Sequence, residues 1–540
     1  MRLYFPPSDG PAQRSGAVAR PTALPAIPDS VLDRHGARVL RPAEAVRASG
    51  APAPASTVYR SGVLLVPQDL LTGERAALAA FNAALAGEGF TLLAPESVPG
   101  AVRGHAASAG ALAASHRAAP LAAAGGQPVA VDAWRALTAL RAAGQRGDLD
   151  ASAAGRVRLD HLLVGANIAT QGSGDPEPLT LGTPQAALSG RIPVGVMLPA
   201  PPRRTLAQLG VGRRPVVAVL DTGYAPHPWL DVVDRSAAVP ADEFVVVDSA
   251  AQAAIQAGTV AGATRSGMPT EILDGYLDQP AVAQPLVGEL DSHAGHGTFI
   301  AGLIRQIAPD AQVRAIRVMH PDGVAYESDV LLALALIADE TRRAQQGDAT
   351  ARPVDVVCLS LGYFDEGDPT GQATGQLAAA IDTLTGLGVL VVAAAGNHAT
   401  GREFYPAALS TRPSPGGFPA VVSVGALNPN GSIARFSNEA PWVTLYAPGV
   451  ALMSTFPAVA GSVNPAETVN GASRRRESLD PDDFGAGFAL WSGTSFAAPV
   501  AAAMLANLIL GQGTALDERD GPAAIRRAGQ AWDALQKEWQ

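Results

Sequence analysis

At 540 residues the chain exceeds one ordinary domain, so two or more units are expected. A hydrophobic fraction of 47% against 16% charged suits a large packed core and excludes wholesale disorder. The net charge of -10, with Lys537 the sole lysine and no basic stripe, excludes nucleic acid as a partner class. Cys358 is the single cysteine, which excludes an intrachain disulfide framework.

The N-terminal run MRLYFPPSDGPAQRSG lacks the apolar centre of a secretory signal. No run of ~18 apolar residues occurs, so no membrane span is expected. The expectation is a cytoplasmic protein, with signal-independent export as the alternative. Residues 1–56 are rich in Pro, Ala, Arg and Gly, which predicts a mostly extended tail with room for one short helix.

Residues 57–165 predict a small α/β unit. Residues 58–66 read as a strand, and 74–85 as a helix with Ala77, Leu78, Phe81 and Leu85 at helical spacing. Residues 90–93 read as a second strand. An Ala/Gly-rich loop covers about 98–126, and 128–131 is the candidate third strand. Asp132 is placed to cap a helix carrying Trp134, Leu137 and Leu140, and 157–164 closes as the fourth strand. That order, β-α-β-β-α-β, is ferredoxin-like. Residues 166–212 hold many Gly and Pro and read as a linker, stiff toward 198–204.

From 213 to 540, short apolar runs at 216–220, 313–318, 354–359, 389–393 and 421–424 alternate with helical patterns. The helical patterns cover 297–307, 327–346, 372–386 and 495–510. This alternation predicts a parallel sheet buried on both faces. Ligands of such sheets bind beyond the carboxyl ends of the strands. Asp221 and Asn397 fall at two of those ends.

Three Gly-flanked motifs stand in this region. They are Val219-Leu220-Asp221-Thr222-Gly223, Gly295-His296-Gly297-Thr298 and Ser492-Gly493-Thr494-Ser495-Phe496-Ala497-Ala498-Pro499. A serine hydroxyl is a poor nucleophile at neutral pH. It needs a base within hydrogen-bond reach, and the base needs a group that fixes its tautomer. Ser495, His296 and Asp221 are the candidates for those roles. Ser495 opens an Ala-rich helix whose N-terminal dipole favours negative charge nearby. Pro499 lacks an N–H and is tolerable only near the start of that helix.

These motifs, in the order Asp, His, Ser, resemble those of the subtilisin-like serine proteases (subtilases). The resemblance covers 219–499. It implies a subtilisin-like three-layer α/β fold with a mostly parallel central sheet, preceded by the small ferredoxin-like α/β domain. It also implies a serine endopeptidase that works through an acyl-enzyme with no cofactor. Ala393-Ala394-Ala395-Gly396-Asn397 matches the family segment ending in the oxyanion asparagine, so Asn397 and the Ser495 N–H are the implied donors. Ser360-Leu361-Gly362 matches the segment that pairs with an extended substrate. Ala394, Ala395 and Gly396 would line the primary specificity pocket. Residues 57–165 resemble the inhibitory propeptide of the family, which implies intramolecular inhibition and a cut within 166–212. The expected partner is a polypeptide substrate, with no nucleic acid and no membrane.

The chain departs from the family pattern where Phe299 follows the His-Gly-Thr and where Phe496 follows the nucleophile. Both changes are expected to affect packing near the cleft. About 75 residues separate Asp221 from His296, and a second insertion covers about 458–488. Subtilases often bind calcium, but no carboxylate cluster here matches such a site. Asp480, Asp482 and Asp483 read as a solvated loop. His293 lacks the setting of His296 and reads as structural. His227 reads as a turn residue and Cys358 as a core residue. Arg474-Arg475-Arg476 reads as a solvated run in an inserted loop, with a processing site as the alternative. A rival for the whole chain is a partner-regulated binding module on a protease fold, acting on one specific protein.

Overall fold

The computed structural model describes residues 3–6, 27–47, 51–72, 75–93, 116–126, 129–165, 191–234, 242–259, 270–278, 280–284, 288–367, 375–459, 467–470, 474–477 and 481–539. Residues 1–2, 7–26 and 48–50 of the N-terminal tail, residues 98–115, residues 166–190 of the linker and Asp480 lie outside the described residues.

Strands β1 (Ala37–Leu40), β2 (Thr57–Pro67), β3 (Phe90–Leu92), β4 (His116–Ala123) and β5 (Arg158–Gly165) form one antiparallel sheet. Its order β5-β2-β4-β3, with β1 on the free side of β2's first residues, is the ferredoxin-like arrangement. Helices Arg75–Leu85 and Ala133–Arg146 cover one face, where Phe81, Leu85, Leu137 and Leu140 pack on Leu64, Val66 and Leu159. Asp132 caps the second helix by accepting from the N–H groups of Trp134 and Arg135.

Three expectations for this half are corrected. The third strand is β4, not 128–131, because its pairing with β2 and β3 outweighs the poor strand propensity of Ala and Pro. The tail carries the one short helix the sequence allowed, Asp29–Arg34, but it is not a free tail: its strand β1 pairs with β2. Residues 191–212 are not a free linker. β6 (Ile192–Pro193) pairs with the later strand Phe488–Trp491, and the buried Arg191 donates to the carbonyls of Ala294 and Asp291 at 2.7 and 3.0 Å.

The following strands are β7 (Val216–Asp221), β8 (Val232–Asp234), β9 (Val245–Val247), β10 (Val282–Gln284), β11 (Glu289–Leu290), β12 (Gln312–Arg317) and β13 (Val324–Tyr326). Then come β14 (Val356–Leu359), β15 (Leu361–Gly362), β16 (Leu390–Ala394), β17 (Val422–Leu427), β18 (Leu445–Pro448) and β19 (Leu452–Thr455). β20 (Glu467–Asn470), β21 (Arg474–Glu477) and β22 (Phe488–Trp491) complete the set. The run Arg474–Arg476 is thus not a plain loop: it lies in a β20–β21 hairpin.

The central sheet has the order β18-β17-β16-β14-β7-β12-β9-β8, and every pair in it is parallel. Alternate residues face opposite layers. Val217, Val219, Val356, Cys358 and Val392 pack against helices His296–Ile307, Thr494–Leu510 and Gly521–Trp539. Ala218, Leu220, Val357, Leu359 and Val391 pack against helices Glu327–Gln345 and Gly375–Gly386. The second of these cores also takes in Val63, Leu65, Leu162, Leu163 and Val164. The far face of the N-terminal sheet is therefore sealed against the helical layer of the larger unit. Among the described residues no helix is long and apolar enough to cross a membrane.

Candidate active site

Asp221 ends the central strand β7, and His296 opens the helix His296–Ile307. Asp221 Oδ1 accepts from the Thr222 N–H at 2.8 Å and from His296 Nδ1 at 2.8 Å. The helix can approach this closely because residue 297 is glycine: a Cβ there would lie 2.2 Å from the Gly223 carbonyl oxygen. The Gly297 N–H also donates to Thr222 Oγ1 at 2.8 Å, which locks the turn after β7 to the helix start.

With Nδ1 committed to Asp221, His296 presents Nε2 as its second ring nitrogen. That atom is buried and has no hydrogen-bond partner among the described residues. The ring sits edge-on to Trp491, with centroids 5.4 Å apart, and 5.0 Å from the ring of Phe496. Phe299 packs on Phe496 at 4.5 Å. The two departures from the family pattern thus build one aromatic wall, and Phe496 packs on His296 itself.

Ser495 is in the first turn of Thr494–Leu510, where main-chain N–H groups have no partner within the helix. Its Oγ donates to the Ser360 carbonyl at 3.2 Å, not to His296 Nε2. Ser360 Oγ in turn donates to the Ser495 carbonyl at 2.7 Å. Pro499 has no N–H for the Ser495 carbonyl, and the Ser360 hydroxyl fills the vacancy.

Asn397 lies three residues past the end of β16 and is tied to the same helix start. Its Oδ1 accepts from the Thr494 N–H at 2.9 Å and from Thr494 Oγ1 at 2.8 Å. Thr494 Oγ1 accepts from the Gly396 N–H at 3.0 Å. This network sets the amide so that Nδ2 is the outward donor. Nδ2 lies 3.2 Å from where a Cβ on Gly493 would stand, so a side chain there would crowd it. Ala394, Ala395 and Gly396 are buried at the strand end.

Leu361 and Gly362 form β15, and their partner is β5: Leu361 lies opposite Gly165, and Gly362 opposite Val164. β5 pairs on its other side with β13, Val164 opposite Val324 and Leu162 opposite Tyr326. Asp221, His296 and Ser495 are each 0% exposed.

Three further residues bear on the site without a sequence motif of their own. Asp278 is buried and accepts from the Gly295 N–H at 3.0 Å and from Thr298 Oγ1 at 2.8 Å, which holds the His-bearing turn. Burial pushes its carboxyl upward. It lies in the long stretch between the Asp and His motifs. The hydroxyl of Thr298, which needs an acceptor, was the one hint of it. Trp491 and His293 flank the His296 ring. His227 takes the turn role, its Nδ1 accepting from the Trp229 N–H at 3.1 Å. Burial pushes the Cys358 thiol up to about 12, as suits a core residue. No group of three or more His, Cys, Asp or Glu side chains is set to hold a metal ion among the described residues.

The family model described as "Subtilase family" matches residues 212–519, more than half of the chain. The chain belongs to the subtilase family. Subtilisin Savinase of Lederbergia lenta is 27% identical over 271 residues, which are 48% of this chain and 72% of that protein. An alkaline protease of Alkalihalobacillus alcalophilus is also 27% identical over 271 residues, 48% of this chain and 51% of that protein. The chain thus spans about half the length of that alkaline protease. A crystal structure of a lanthipeptide protease is 20% identical, covering 60% of this chain and 81% of that one, with a TM-score of 0.36. A cold-adapted subtilisin-like serine proteinase is 20% identical, covering 59% and 81%, with a TM-score of 0.33. This subtilase carries its family motifs on strand ends and helix starts of a parallel sheet, where that fold places ligands.

Proposed function

We propose that the chain is a serine endopeptidase held closed by its own N-terminal unit. Ser495 Oγ attacks the scissile carbonyl while its proton passes to His296 Nε2. Asp221 keeps the imidazole in the right tautomer and stabilises the imidazolium. The oxyanion is met by the Ser495 N–H and Asn397 Nδ2. Collapse returns the proton to the leaving amine, and water hydrolyses the acyl-enzyme by the same steps. Attack requires the Ser495 hydroxyl to turn from the Ser360 carbonyl toward Nε2, a rotation about one side-chain bond.

The 2.8 Å bond from His296 Nδ1 to Asp221 Oδ1, which leaves Nε2 free, carries this reading. The closed state is supported by β5, which takes an extended antiparallel place on Leu361–Gly362. A cut within 166–212 would release residues 57–165 from the cleft.

A fluorophosphonate serine-hydrolase probe tests the nucleophile. The wild-type chain is expected to label, and Ser495→Ala to stay unlabelled. A folded wild-type chain that takes no label, before or after any processing, would overturn the proposal.

A further inference from the structure

The Gly165 position is sterically filled. A Cβ there would lie 2.5 Å from His293 Nε2, 2.6 Å from His293 Cδ2 and 3.3 Å from Met319 Sδ. The imidazole has no room to retreat. On its other side a Cβ on Gly323 would lie 2.3 Å from His293 Nδ1. Its ring is also 5.1 Å from that of His296, and His293 is 0% exposed. Hydrogen bonds fix it further. The His293 N–H donates to the Pro321 carbonyl at 2.7 Å. Ser292 Oγ gives its proton to the Asp322 carbonyl at 3.1 Å, so Nδ1 donates to Ser292 Oγ at 2.9 Å. Nε2 therefore presents a bare lone pair toward Gly165, with no partner among the described residues.

The nucleophile stands one register step away. Gly165 is opposite Leu361, and Ser360, the next residue toward the helix start, has its carbonyl 3.2 Å from Ser495 Oγ. In an antiparallel pair the peptide residue opposite Ser360 follows the one opposite Leu361. A peptide in the register of β5 thus offers for attack the carbonyl one residue after the Gly165 position.

We propose that His293 is a specificity-determining residue that restricts this position to glycine. Substrates are then extended chains in which Gly-Xaa precedes the cleaved bond and aliphatic residues precede the glycine. This rests on the endopeptidase reading of the site. In β5 the preceding residues are Leu162, Leu163 and Val164, all buried in the second core.

Two measurements test it. The first uses the full chain carrying Ser495→Ala, so no catalysis is needed. Hydrogen exchange over 158–165 is expected to quicken at least about tenfold when Gly165→Val is added, since overpacking of a filled site is costly. Adding His293→Ala is expected to restore protection, while exchange in 216–221 stays slow throughout as the control for folding. Unchanged exchange in Gly165→Val, or no restoration by His293→Ala, would overturn the proposal.

The second compares Leu-Leu-Val-Gly-Ala and Leu-Leu-Val-Val-Ala aminocoumarin peptides. The wild-type chain is expected to favour the glycine peptide in kcat/KM by roughly 30-fold, and His293→Ala to narrow the ratio to about fivefold or less. Enzyme that labels with fluorophosphonate yet cleaves both peptides equally sinks the selectivity alone. No cleavage and no labelling sinks the endopeptidase reading with it, while the exchange measurement still decides the steric claim.

Discussion

Two residues at the start of one helix set the geometry of the site. Thr494 spends its N–H and hydroxyl on Asn397 Oδ1, and Ser495 lends its carbonyl to Ser360. The proposed oxyanion donor and the proposed nucleophile are therefore fixed to one rigid element before any substrate arrives, the preorganisation that would make such a donor effective. Asn397→Ala should lower kcat by about 10²–10³, the order known for loss of the asparagine donor in subtilisin, with KM changed far less. Steady-state kinetics on a peptide substrate checks this, and a fall in kcat of less than about fivefold would contradict it. The motif residues were legible in the sequence because each combines a reactive side chain with flanking glycines. Asp278 and His293 were not, since their roles come from where the long stretch between the motifs folds back.

At the scale of elements, β5 is clamped by a buried ion cluster. His161 Nδ1 meets Glu327 Oε2 at 2.6 Å and Nε2 meets Glu366 Oε2 at 2.9 Å. Tyr363 stacks on the ring at 4.5 Å, and Asp160 on the same strand pairs with Arg60 and accepts from the Ser328 N–H. Burial alone would push the His161 imidazole down, but Glu327 and Glu366 override it and raise it to about 10. Burial likewise works against the Glu366 charge, yet His161 wins and lowers that carboxyl to about 2. Burial pushes Glu327, the second carboxylate on one imidazolium, upward. The signs follow from linkage. The His161 contribution is full below its ordinary value near 6.5 and is lost as pH rises toward about 10, and the raised Glu327 acts in the same direction. The Glu366 contribution is full above its ordinary value and fades as pH falls toward about 2. The urea midpoint of the Ser495→Ala chain should therefore fall between about pH 6 and pH 9, and His161→Gln should flatten that slope. An equal slope in both chains would contradict the clamp. The strands at 216–221 and 390–394 were legible because continuous β-branched runs suit a sheet buried on both faces. β4, His-Arg-Ala-Ala-Pro-Leu-Ala-Ala, was not, because pairing with its neighbours and not composition makes it a strand. The 191–212 segment read as a linker by composition, but the β6–β22 pairing, the buried Arg191, the contacts of Arg203 and Arg204 with Pro309 and Asp310, and the Trp229 bond to the Leu198 carbonyl bind it to the larger unit.

At the scale of the whole molecule, the two units share a core. The N-terminal sheet keeps one face for its own helices and gives the other to the layer of Glu327–Gln345, while β5 runs between β13 and β15. A hydrophobic face sealed in this way does not leave spontaneously at a low cost. On the proposed reading, opening the site requires a cut within 166–212, with Ser495 as the nucleophile that makes it. Intact-mass measurement of the purified chain over time tests that requirement most directly. The wild-type chain should lose its N-terminal segment through a cut within 166–212, with peptide hydrolysis appearing in step, while Ser495→Ala stays full length and inactive. A wild-type chain that stays full length with full activity, or a Ser495→Ala chain that is cut at the same rate, would contradict it.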